Sequence, residues 1–202
     1  FYLVRKDMLA SMAAAELSVW HYALFSWRKK PHERPGERAF SYHNAGGYMS
    51  MLIGLALAFP VEIIGVHILI SQWSIVAAFL VTALSVYAAI WLIGDARARV
   101  MRPVVIGDDH LRLECGIQME AVIPRSNIEA VCFSENDINV LGKADKLNYG
   151  TFYQANVWVV VKQPLEVRTM LGKKRVRAIG VSLDDPKAFG DVIELSLKRL
   201  DD

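Results

Sequence analysis

Residues 45–94 contain a single charged side chain, Glu62, in fifty positions. No soluble domain of this size needs so long an apolar run. It is also too long for one crossing of a membrane. A helix rises about 1.5 Å per residue, and a hydrocarbon core about 30 Å thick takes about 20 residues. Two crossings fit, Tyr48 to Ile70 and Trp73 to Ile93, with Ser71-Gln72 as a tight turn between them. The chain therefore reads as a membrane protein, with residues 48–94 forming a transmembrane helical hairpin.

Charge placement gives an orientation. Arg5, Lys6, Arg28, Lys29, Lys30, Arg34 and Arg38 precede the first span, the turn carries no cation, and Arg97, Arg99 and Arg102 follow the second span. The excess of Lys and Arg on the cytoplasmic side of spanning helices puts both termini inside and the turn outside. Trp73 fits the outer interface; Trp91 and the Asp95-Arg97-Arg99 cluster fit the inner one. Cys115 and Cys132 would then sit in a reducing compartment as core thiols, and their spacing matches no metal motif. Hydrophobic residues make up 53% of the sequence and charged ones 22%, which joins a membrane part to a water-soluble part. A net charge of +2 leaves no nucleic-acid footprint.

Residues 1–30 read as an amphipathic interfacial helix. Ala13, Leu17, Trp20, Leu24 and Trp27 recur at helical spacing as one apolar stripe, and cations flank the segment on both sides. A third, polar crossing is the alternative, but Glu16 and His21 would be costly near mid-bilayer. Residues 31–47, rich in Pro and Gly, read as a linker.

From Arg102 the period changes to two. Leu111, Leu113 and Cys115 alternate with Arg112 and Glu114, and short Val- and Ile-rich runs follow, bounded by Gly, Pro, Asn and Asp. Asp184 or Asp185 before Pro186 is a helix start, and Phe189, Val192, Ile193, Leu197 and Leu200 continue at helical spacing. Six or seven antiparallel strands and a closing helix are expected over residues 102–202. GDDHLRLECGIQMEAVIPRSNIEAV (107–131) and IGVSLDDPKAFGDVIELSLKR (179–199) resemble the opening and the close of bacterial pleckstrin-homology-like (PH-like) domains. The whole order resembles bacterial membrane proteins with a two-helix transmembrane hairpin followed by a cytoplasmic PH-like domain. The resemblance implies a membrane α + β fold: hairpin, N-terminal amphipathic helix, then an antiparallel barrel or sandwich capped by a C-terminal helix, at the bacterial inner membrane. Residues 134–154 depart from compact strand spacing and read as a long loop.

Glu62 is the sharpest candidate for chemistry. A carboxyl group in lipid must be neutralised or paired, so it is expected to point between the helices toward Thr82, with Ser85 a turn away and His67 nearer the outer surface. Pro60 is expected to kink the first span and free carbonyls. Two readings stand: a proton-, ion- or small-ligand site, or a polar clamp aided by a Gly54–Ala58 small-residue contact. The turn Gly172-Lys173-Lys174-Arg175, with Arg177, offers cations to anionic headgroups. Gly107-Asp108-Asp109, between the first strands, is acidic and unsuited to phosphate. Enzyme signatures are absent: no G-x-S-x-G, no phosphate loop, no C-x-x-C and no H-E-x-x-H. His32, Glu33 and His43 read as linker polarity rather than metal ligands, so no metal, cofactor or catalytic residue is expected.

These readings favour a membrane-anchored binding or assembly protein whose partners are membrane lipids and either a membrane protein or a second copy of the chain. The alternatives are a small transporter, channel or membrane-enzyme subunit built on Glu62 and His67, and an anionic-lipid sensor built on Lys173, Lys174, Arg175 and Arg177.

Overall fold

The structure is a computed structural model that describes residues 2–28, 36–44, 47–149 and 155–201. His32, Glu33 and the end of the 134–154 loop lie outside the described residues. Two helices dominate one half of the chain, α2 (Tyr48–Ser71) and α3 (Ile75–Met101), packed side by side as a hairpin. Both are long and apolar enough to cross a membrane by length and composition, and the rest of the chain leaves their apolar stretches almost wholly uncovered. The turn is tight: the N–H groups of Trp73 and Ser74 both donate to the Ile70 carbonyl, and Ser74 Oγ caps α3 by accepting from Ala77 N–H at 3.3 Å.

Helix α3 runs eight residues past Ile93, and in this extension Gly94, Asp95, Ala98 and Arg99 are buried. The extension holds because Asp95 and Arg99, four residues apart, pair with each other on one helix face.

The helix α1 (Tyr2–Phe25) lies against α3, and their matched positions ascend together. Tyr87 donates to Glu16 at 2.7 Å, Val19 meets Gly94, and Arg97 donates to the Ser26 carbonyl at 3.0 Å. The face that packs is Ala15, Val19, Ala23 and Ser26. The large apolar stripe read from the sequence stays open, on another face. Leu17, Trp20 and Leu24 point away and are exposed, while exposed Trp27, just past the helix, has the Arg97 guanidinium 5.1 Å over its ring. Small side chains let two backbones approach, whereas the large ones would hold them apart.

Eight strands form one open, mixed sheet in the order β1-β2-β3-β4-β7-β8-β6, with β5 on the first half of β7. They are β1 (Arg38–Phe40), β2 (Val104–Ile106), β3 (His110–Cys115), β4 (Met119–Pro124), β5 (Ile128–Cys132), β6 (Lys146–Asn148), β7 (Val157–Thr169) and β8 (Gly172–Val181). Two features differ from the expected six or seven antiparallel strands. One is β1, which comes from the segment before the hairpin and pairs with β2 just after it, Phe40 opposite Val104. The other is β6, which runs parallel to β8. It arrives after the long excursion over residues 133–145 rather than by a tight turn, and only such a crossover can deliver a parallel neighbour.

Pro164 explains the division of labour in β7. It cannot donate to the ladder, and the register shifts between Val160 and Leu165. Asn127 holds the bend, donating to the Gln163 carbonyl at 3.1 Å and accepting from Gln163 N–H at 2.9 Å. Before the bend β7 pairs with β5; after it, with β4. The core between the layers is made of Leu111, Leu113, Ile123, Val159, Ile179 and their neighbours. Helix α4 (Pro186–Asp201) closes it with Phe189 and Ile193. Asp185 caps this helix by accepting from Ala188 N–H at 3.0 Å, with Pro186 in the first helical position as the sequence suggests.

Candidate functional site

The most organised polar cluster is the joint where α3 enters the sheet. Asp95 and Arg99 form an ion pair at 2.9 Å with side chains 3% and 4% exposed. Asp95 Oδ2 also accepts from Tyr48 Oη at 2.9 Å and from Gln118 Nε2 at 3.3 Å. The Arg99 guanidinium lies 4.4 Å over the Tyr48 ring. One carboxylate oxygen thus ties together both ends of the hairpin and the β3–β4 turn. Its companion Oδ1 is buried without a hydrogen-bond partner among the described residues and faces the backbone of Gly116.

Gly116 must be glycine on two counts. Its φ is +54°, and a β-carbon would stand 2.7 Å from Asp95 Oδ1. Its N–H donates to Tyr42 Oη at 2.7 Å and its carbonyl accepts from Arg102 at 3.0 Å, so the turn is held from both sides. Arg102 also binds Glu114 at 3.1 Å and Glu120 at 3.4 Å. Burial works against its charge, but these carboxylates outweigh that effect and keep it firmly protonated.

The neighbouring Cys115 is fully covered. Burial pushes its thiol up to about 12, and burial likewise holds the Tyr42 hydroxyl well above the usual phenol range. Thiolate is the reactive form, so native protein at pH 8 is expected to leave Cys115 unlabelled by a maleimide. Half-buried Cys132 should react slowly, and Cys115 only after unfolding. Mass spectrometry of labelled peptides checks this, and prompt native labelling of Cys115 would contradict the packing of the joint.

The polar residues of the apolar run do not converge as the sequence suggests. His67 Nδ1 lies 2.8 Å from Thr82 Oγ1, and the His67 ring meets Phe79 edge-on at 5.3 Å. Ser85 is half-buried one turn further along α3. Glu62, expected between the helices, is exposed on the outer side of α2. Gly54 and Gly65 also face open space, so the Gly54–Ala58 contact expected in the clamp is not formed. Larger side chains, Leu52, Leu55, Phe59, Ile63, Val66 and Ile70, make the covered stripe instead and leave Glu62 on another face. The clamp that does form is His67 with Thr82.

The basic turn is similarly engaged within its own sheet. Lys173 pairs with Glu166 at 2.6 Å, Lys174 donates to the Lys146 carbonyl at 3.3 Å, and Arg177 pairs with Glu129 at 3.5 Å. Arg175 stands opposite Glu166 in the ladder. Lys173 also lines a cavity of about 270 Å³ between α1 and the sheet.

Comparison with protein-family models, with curated proteins and with solved structures yields no match for this chain. Its own chemistry must carry the reading. Among the described residues no group of three or more His, Cys, Asp or Glu side chains is placed to hold a metal ion. The joint has no activated nucleophile: its thiol is held protonated and its carboxylate is engaged by three donors. What the arrangement can do is fix the angle and distance between the apolar helices and the β lobe. Asp95, Arg99 and Arg102 stand in the sequence as charges flanking a span. The partners Tyr42, Glu114, Gly116 and Gln118 carry no local pattern that would assign them to the same site.

Proposed function

We propose that this chain is a membrane-anchored binding or assembly protein. In this reading α2 and α3 span the bacterial inner membrane with their turn outside, and a PH-like β lobe, with the C-terminus, is presented to protein partners at the cytoplasmic face. The observation that carries it is the belt of exposed apolar side chains. Leu57, Leu80 and Leu84 are 73%, 68% and 67% exposed, and the belt continues over Ile53, Ile64, Phe79 and the outer face of α1. A patch of that extent in water would drive aggregation; against lipid it is the expected exterior.

The joint supports the second half of the proposal. Anchoring raises the lobe's effective concentration for partners in the same membrane, and the bonds from Gln118 to Asp95 and from Arg102 to Glu114 and the Gly116 carbonyl keep the lobe in one orientation. The 134–149 segment is the presenting surface. Val140 at its tip is 98% exposed, with half-exposed Phe133 nearby. A transport site built on Glu62 and His67 has less support, because the two side chains occupy different faces of α2.

Two measurements test the proposal. The chain should resist alkaline extraction from membranes, and a reporter fused after Asp202 should be active in the cytoplasm. A photo-crosslinking residue placed at position 140 should then give a discrete adduct in intact membranes, absent when the same residue replaces exposed Leu57. A chain released by alkali, or one that gives no adduct from position 140, would remove the anchoring or the presenting half respectively.

A further inference from the structure

The cavity of about 270 Å³ beside the joint sits where the polar lobe meets the apolar helices. It falls just below the range of drug-sized ligand sites, about 300–1,000 Å³. One wall is α1, where Ala14 and Ser18 leave room; the other is made by the β3–β4 turn, the β7–β8 turn and the residue that caps α3. Arg102, Arg168 and Lys173 line it against one carboxylate, Glu120.

These cations are placed differently. Arg102 is fixed by Glu114 and the Gly116 carbonyl and also meets Glu120 at 3.4 Å, a contact an incoming anion would replace. Arg168 stands in register between Glu120 on β4 and Lys173 on β8. Lys173 holds Glu166 through a side chain 52% exposed, and an exposed pair of this kind exchanges partners at little cost. Two guanidinium groups and one ammonium can thus converge on an anion with several acceptor oxygens, the geometry that phosphoryl groups satisfy. Beside this wall, Leu17 and Leu24 of α1 are exposed and apolar.

We propose that this cavity is a phosphoryl-binding site. Arg102, Arg168 and Lys173 hold the phosphate oxygens, Ser18 adds a hydroxyl, and the apolar face of α1 receives the chains of an anionic lipid that carries the group. The lipid source rests on the membrane reading above; the phosphoryl chemistry does not.

The experiment uses the full chain in neutral-detergent micelles. Native mass spectrometry counts bound phosphatidylglycerol, with diacylglycerol of the same chain length as the probe lacking phosphate and inorganic phosphate as competitor. One phosphatidylglycerol per chain is expected to bind at least about tenfold more tightly than diacylglycerol. Arg168→Gln with Lys173→Gln should lower that affinity about tenfold or more. Ala14→Leu, which fills the cavity from a helix position exposed on its other sides, should abolish binding with the charges intact. If inorganic phosphate displaces the lipid at equal concentration, the site stands and its source is a free phosphate. Equal binding of the two lipids, or binding unchanged in both variants, overturns the site. Alkaline extraction of the same chain reports on the membrane reading independently.

Discussion

Asp95→Ala is expected to lower the stability of the purified chain by about 3–5 kcal/mol, the range seen when a buried ion pair is broken from one side. The cost is not the lost attraction alone. Arg99 is 4% exposed and has its guanidinium against the Tyr48 ring, so removing the carboxylate leaves a positive charge in a site that water does not reach. Tyr48 and Gln118 lose their acceptor at the same time. The double variant Asp95→Leu with Arg99→Met should recover most of the loss, because well-packed apolar side chains replace a buried pair at little net cost. What remains belongs to the donors of Tyr48 and Gln118. Heat unfolding in mild detergent, followed by tryptophan fluorescence and arranged as a double-mutant cycle, separates these contributions. A single variant as stable as the parent would mean that the lobe and the hairpin are not locked through this carboxylate.

The long-range character of that joint explains why little of it is legible in the sequence. Asp95 and Arg99 are visible as a pair four residues apart, but in a span-flanking position such charges read as interface markers. Their decisive partners come from elsewhere: Tyr48 from the far end of the hairpin and Gly116 and Gln118 from the first turn of the lobe. No periodicity links them. Features with a local cause are legible. The apolar run of residues 45–94 yields two long helices joined by a tight turn, Asp185-Pro186 starts the last helix, and alternation at Leu111, Leu113 and Cys115 yields a strand with those side chains buried. The strand at Arg38–Phe40 is three residues long, too short for alternation to show, and its partner lies beyond the hairpin.

The packing face of α1 is hidden in the sequence for a different reason. In water the large apolar stripe is the one that packs. With lipid as the surroundings, as proposed here, large side chains lose nothing by facing outward and contact between helices selects small ones. Ala15, Val19 and Ala23 at four-residue spacing, with Gly94 in the third helix, are the signal that reasoning of this kind would find. Glu62 is misplaced on the same logic, since its expected position assumes that every polar group in the run turns toward the partner helix within this chain.

Gly94→Leu is therefore expected to detach α1. A β-carbon at position 94 would stand 2.7 Å from the Val19 carbonyl oxygen, 2.8 Å from its Cγ1 and 3.1 Å from its Cα. Two of these atoms are backbone and cannot rotate aside, so the helices must separate, at the upper end of the about 1–3 kcal/mol typical of overpacking or beyond it. The cations that follow α1, Arg28, Lys29 and Lys30, provide the readout. After tryptic cleavage there, α1 should co-elute with the rest of the parent chain in detergent and separate from it in the variant. Gly54→Leu and Gly65→Leu are the controls: no atom lies within 4 Å of a β-carbon at either position, so both should retain α1 and unfold with the parent. Separation in all three would trace the effect to lost helix flexibility rather than to contact. Retention of α1 in Gly94→Leu would show that Val19 does not seat it, and the wall that closes the cavity would lose its support with it.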